Sequence, residues 1–254
     1  MLSAGADVKT APINNTREES MSKDGFDRRA FLKSAVAGGA AAAAVNVAPG
    51  AQAQPAAAGG SSAPGYAFLN PEEAAFVEAL VDHMVPADEL TPKGTDLGLA
   101  IFIDRALAGG WGKGDRMYMQ GPWRKGVPSQ GYQLPLTPAE LYRNGIAASN
   151  AHCVKTYQKT FDKITEAQRQ EFLLALQAGK VTFENGPPVR DFFTAVYQTV
   201  MEGMFSDPMY GGNKDKAGWK LIGFPGVIAV NYQNVEKYRD KPFPTNPVSI
   251  SDMS

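Results

Sequence analysis

Three capping boxes constrain this chain more than any other feature. Asn70-Pro71-Glu72-Glu73, Thr137-Pro138-Ala139-Glu140 and Thr165-Glu166-Ala167-Gln168 each place an Asn or Thr three residues before a Glu or Gln. Two side chains at that spacing satisfy amides that the first turn of a helix leaves bare. Pro71 and Pro138 fall at the first helical position, where a missing N–H costs nothing. After the first box, Phe76, Val77, Leu80, Val81 and Met84 recur at helical spacing until Pro86 stops them. The second box predicts a helix through about Phe161, with Leu141, Ile146, Cys153, Val154, Tyr157 and Phe161 on or near one face. The third begins a helix over 166–178, closed by Gly179. Amphipathic runs over 97–107 and 190–205 complete the set. No period-two alternation is sustained, so the expected class is all-α with about five helices.

What lies between those helices is long and aromatic. Residues 109–136 and 206–254 carry Gly and Pro too densely for regular structure, and both exceed the roughly 12–15 residues that compact domains leave irregular. Yet they hold all three tryptophans, and disordered segments are poor in aromatics. Such a segment either folds back over its own core or is covered by a partner. The second option makes Trp111, Trp123, Tyr132, Tyr210, Trp219 and Phe224 candidate partner-interface residues. Beyond 206 only short extended pieces such as 226–230 are expected, followed by an extended C-terminal tail rich in Pro and Ser.

The N-terminal segment is of another kind. Asp27-Arg28-Arg29-Ala30-Phe31-Leu32-Lys33 precedes an Ala- and Gly-rich run over 34–45, and Ala51-Gln52-Ala53 has the small-x-small form of a signal cleavage site. This is the layout of a twin-arginine export signal, with Asp27 where Ser or Thr is usual. The apolar run is shorter than the roughly 20 residues of a spanning helix. The expected organisation is a signal peptide over 1–53, a flexible lead-in over 54–66 and one helical domain over 67–254, with the mature chain in the periplasm. Removing 53 residues, six basic and five acidic, leaves 201 residues with 19 basic and 21 acidic, a net charge of −2. That balance offers no footprint for nucleic acid. The twin-arginine translocon moves folded proteins, and a chain uses it chiefly when it, or something bound to it, must take up a cofactor before crossing.

Chemistry-bearing motifs are missing. His83 and His152 lie on different predicted helices without a carboxylate at ligand spacing. There is no HExxH, no Cys-x-x-Cys-His, no GxGxxG after a strand and no Gly-x-Ser-x-Gly. Asp207, Asn213 and Asp215 imitate the opening of a calcium loop but lack its closing Glu. No catalytic, cofactor-binding or metal-ligating residue is therefore expected on this chain. Cys153, the single cysteine, has two readings: a buried small apolar residue, or a thiol in an intersubunit disulfide with a partner.

The run EGxFxDPxYGGNxxxxGWKxIGFPG over 202–226 resembles the signature of the gluconate 2-dehydrogenase subunit 3 family. The likeness extends to Gly121-Pro122-Trp123, to GYQLPLTPAELYRNG over 131–145, and to the export signal with Arg28, Arg29, Phe31, Leu32 and Lys33 and its cleavage residues Ala51 and Ala53. The resemblance implies a non-catalytic small subunit of a membrane-associated dehydrogenase of sugars or sugar acids. Its large catalytic partner would hold FAD, with or without an iron–sulfur cluster. A multihaem cytochrome c subunit, carrying haem c, would anchor the complex to the cytoplasmic membrane. This chain would bind the flavoprotein, aid its maturation and carry it through the twin-arginine translocon. The alternative is a self-sufficient periplasmic enzyme or ligand-binding protein exported alone, for which Asp88, Glu89, Asp104, Arg105 and Asp115 are the nearest available charges.

Overall fold

All three predicted boxes close as drawn. A computed structural model describes residues 65–253 apart from 125, 128–129, 228–231, 244 and 245. In it, the Asn70 side chain accepts from the Glu73 amide at 2.9 Å and the Glu73 carboxylate accepts from the Asn70 amide at 3.0 Å, starting α1, Pro71–Met84. Thr137 with Glu140 starts α4, Pro138–Tyr157, and Thr165 with Gln168 starts α5, Glu166–Gln177. The two amphipathic runs become α2, Leu99–Ala108, and α6, Val189–Phe205. Among the described residues there are no strands, only an isolated parallel bridge between Gly226 and Val248. Residues of the export signal (Arg28, Arg29, Phe31, Leu32, Lys33), the cleavage residues Ala51 and Ala53, and the lead-in up to 64 lie outside the described residues.

Two boundaries differ from expectation. The helix predicted to reach Phe161 stops at Tyr157, because Gln158 turns left-handed with φ 60°. Phe161 is then free to swing inward and open a 3-10 turn, Phe161–Lys163. Asn150, buried on α4, holds that turn by accepting from the Phe161 amide at 3.1 Å. The long segments are also less irregular than expected. The first contains α3, Gly110–Lys113; the second contains α7, Ala217–Ile222, α8, Asn234–Lys237, and 3-10 turns at Pro208–Tyr210, Lys214–Lys216 and Ile250–Met253.

The helices pack around a single apolar core. Phe76 of α1 meets Phe161 at 4.6 Å between ring centroids, and Phe161 meets Phe172 of α5 at 5.9 Å. Tyr142 of α4 packs edge-on to Phe192 of α6 at 6.2 Å. That crossing needs Gly145, where a Cβ would lie 2.2 Å from the Phe192 ring. Most polar groups inside this core are paired, the Ser149 hydroxyl on α4 being an exception. The buried Glu73 carboxylate binds Arg143 Nε at 2.9 Å, while the Arg143 guanidinium covers the Phe68 ring at 4.4 Å.

Asp104 performs the most demanding polar task. Only 2% exposed, its carboxylate accepts the amides of Ala67, Phe68 and Leu69 at 2.8–2.9 Å and so pins the backbone just before α1 to α2. Asp104→Ala strands three amides, two of them beside the core. A loss of about 3 kcal/mol in folding free energy is expected, measured by urea denaturation followed by circular dichroism.

Candidate docking surface

The segment after α6 is built from close backbone approaches. Gly98 and Gly211 touch so closely that a Cβ on Gly98 would sit 2.1 Å from the Gly211 carbonyl oxygen. A Cβ on Gly212 would lie 2.3 Å from the Gly203 oxygen, and one on Gly218 would lie 2.1 Å from the Met204 oxygen. Only glycine fits at these positions. Asn213 lies at their centre, 0% exposed, with φ 49°. Its Nδ2 donates to the Ser206 carbonyl at 2.8 Å and its Oδ1 accepts from the Gly218 amide at 2.8 Å, so one side chain closes the loop from the end of α6 to the start of α7. The neighbouring Lys214 amide donates to the Leu97 carbonyl at 3.1 Å, which ties the loop to α2.

Asp207 and the C-terminus finish the structure. One Asp207 oxygen caps the Met209 amide at 3.0 Å and the other takes the Ile250 amide at 2.8 Å. Asp252 binds Lys216 at 2.6 Å and the Ser249 amide at 2.7 Å, and the Lys216 ammonium leads in holding its carboxyl down at about 2. The Val227 amide and the Val248 carbonyl pair at 2.8 Å. These bonds occupy two of the three residues that resembled a calcium loop: Asn213 binds backbone on both sides and Asp207 caps two amides. Among the described residues there is no group of three or more His, Cys, Asp or Glu side chains placed to hold a metal.

The predicted interface residues divide by exposure. Tyr210 is 53% exposed, Trp111 42% and Trp123 37%. Tyr132 is half-buried, its hydroxyl donating to the Leu136 carbonyl, and Phe224 is half-buried edge-on to Trp219 at 5.3 Å. Trp219 requires a correction, since it is buried in its own fold. Its Nε1–H donates to the Phe205 carbonyl at 2.7 Å, satisfying an orphan acceptor at the C-terminus of α6. At 5% exposure the indole offers little surface to another protein. Over 206–226 the large apolar residues turned outward are Met209, Tyr210, Leu221 and Ile222, of which only Tyr210 stood among the candidate interface residues. The signal for Leu221 and Ile222 was present in the spacing: with Trp219 and Gly218 turned inward, one short helix must show its other side to solvent.

The family model of gluconate 2-dehydrogenase subunit 3 matches residues 71–226, the span from the first residue of α1 to the end of this loop. The chain belongs to that family. No protein of curated function and no solved structure matches it. The match gives this member of the gluconate 2-dehydrogenase subunit 3 family a place as a subunit of a dehydrogenase complex.

Two of the charges nominated for a self-contained site are occupied by backbone amides. Asp88 caps the Leu90 and Thr91 amides, and Asp104 is filled by three amides. An open depression beside α1 is lined by Glu78, Asp82, Lys93, Thr95 and Asp162, whose carboxylates already accept from Tyr66, from Lys93 and Thr95, and from Thr160. His83 Nε2 lies 2.8 Å from Gln170, and His152 stacks on Phe172 at 5.4 Å.

Cys153 is 0% exposed on α4, and burial pushes its thiol up to about 12. A sulfur in that position reaches a second chain only if α4 leaves the core. The expected outcome is no reaction of the native chain with a thiol reagent at pH 8 and full reaction in denaturant. Fast labelling of the native chain would restore the disulfide reading. Trp219→Ala is expected to cost the isolated chain about 3 kcal/mol through the cavity and the orphaned carbonyl, and Asn213→Ala about 2 kcal/mol with red-shifted Trp219 emission. Urea titrations with fluorescence detection measure both.

Proposed function

We propose that this chain is the non-catalytic small subunit of a membrane-associated flavoprotein dehydrogenase complex of the gluconate 2-dehydrogenase type. In this reading it binds the FAD-containing catalytic subunit in the cytoplasm, aids its maturation and carries it through the twin-arginine translocon to the periplasm. A multihaem cytochrome c subunit completes the complex and holds it at the membrane. FAD and haem c belong to those other chains, and the chemistry takes place on them.

The observation that carries the reading is the family match together with what its signature residues do. Gly211, Gly212, Asn213, Gly218 and Trp219 spend their chemistry on one another and on the ends of α2 and α6. The product of that investment is a rigid scaffold that presents Met209, Tyr210, Leu221 and Ile222 outward. Large apolar side chains on a fixed backbone are what a stable protein interface uses, because little ordering entropy remains to be lost on binding. That face is assigned to the flavoprotein.

Affinity capture from the periplasm, using the chain tagged at its C-terminus, tests the proposal. The flavoprotein is expected to co-purify with the wild type and to disappear from the periplasm for Arg28→Lys/Arg29→Lys. Leu221→Asp/Ile222→Asp is expected to abolish capture while the helical signal stays intact. Arrival of the chain alone in the periplasm would overturn the escort role.

A further inference from the structure

Charge is distributed unevenly along the described chain. Residues 65–108 hold eight acidic and two basic side chains, whereas residues 110–127 hold Lys113, Arg116, Arg124 and Lys125 against the single Asp115. Lys113, Arg116 and Arg124 are exposed and form no ion pair among the described residues. The same eighteen residues expose Tyr118 at 78%, Val127 at 59%, Trp111 at 42% and Trp123 at 37%. By contrast 207–226 has three lysines against two aspartates, and one of those lysines is paired with Asp252. Cationic and aromatic character coincide in the first segment.

The first turn of that segment is fixed to the bundle. The Gly112 Cα packs so tightly that a Cβ would lie 1.9 Å from the Leu107 carbonyl oxygen, which locks α3 against the end of α2. The Asp115 amide donates to the Gly110 carbonyl at 3.0 Å, and Trp111 lies edge-on to Tyr142 at 6.3 Å.

We propose that residues 110–127 dock directly on an anionic lipid surface, so that this subunit makes its own contact with the membrane. The charges argue for anionic headgroups: each Lys or Arg at such a surface adds attraction, and their alkyl stems lie along apolar neighbours while the heads reach phosphate. The aromatic residues argue for a bilayer interface over an acidic protein. Trp and Tyr combine an apolar body with a polar tip and concentrate at headgroup depth. Among the described residues no helix is long and apolar enough to cross a membrane, so the contact is interfacial. This inference stands apart from the escort reading and survives its failure, because it concerns the chain alone.

Sedimentation of the purified full chain with vesicles is the test. Binding is expected to phosphatidylcholine vesicles containing a quarter phosphatidylglycerol, not to phosphatidylcholine alone, and to weaken as salt rises. Lys113→Gln/Arg116→Gln/Arg124→Gln is expected to bind about a hundredfold more weakly, at roughly a tenfold loss per 1.4 kcal/mol. Residues 1–53 are the same in both proteins, so the difference reads the patch. Brominated lipid should quench the wild type but not Trp111→Phe/Trp123→Phe, whose remaining Trp219 is buried. Equal vesicle binding by the wild type and the triple variant would overturn the proposal. So would absent vesicle binding, including the case where flavoprotein capture is lost in the triple variant, which would make this face a protein interface.

Discussion

One carboxamide holds the C-terminal half of this fold in shape. Asn213 bridges Ser206, the residue that caps the end of α6, and the first turn of α7 from a fully buried position. The site demands a donor and an acceptor on one short side chain, together with a left-handed backbone, and Asn meets all three requirements. Asp would bring a charge and lose the donor. Gly would keep the backbone and lose both bonds. Because the carboxamide draws Ser206 and Gly218 together, Gly212 must lie on the Gly203 carbonyl and Gly218 on the Met204 carbonyl, leaving no room for any Cβ. The Trp219 indole then covers the end of α6. The segment is therefore ordered by contacts within the chain, its backbone groups satisfied by the Asn213 side chain as well as by short helical turns.

Much of the bundle was legible because its signals are local. A capping box involves four residues and a helical stripe about a dozen, so α1, α4 and α5 could be read directly, and the all-α class followed. The errors came where a distant group decided the outcome. Phe161 continued the α4 stripe in sequence, but the pull of Phe76 and Phe172 and the bond from Asn150 make a turn there more favourable than another turn of helix. The inward orientation of Trp219 depended on an unsatisfied carbonyl at Phe205, visible only once α6 had a defined end. Aromatic content indicated that the segment was ordered and could not say by what. The same ambiguity applied to Cys153, whose surroundings are set by packing of α4 and not by its sequence neighbours.

The buried carboxylates show how the fold spends charge. Asp104 and Glu73 are acceptors for backbone and guanidinium groups that residues 67–69 and α4 bring to them, and each joins groups more than thirty residues apart. A buried charge with several partners is worth keeping only while all are present, so these bonds make the fold cooperative. In the escort reading that property has a use. Asp104 holds the backbone at 67–69 from α2, so the proposed export signal, which precedes 67–69 in sequence, would join the domain at a point that α2 secures. A translocon that accepts folded cargo would then meet a signal whose attachment already depends on the fold.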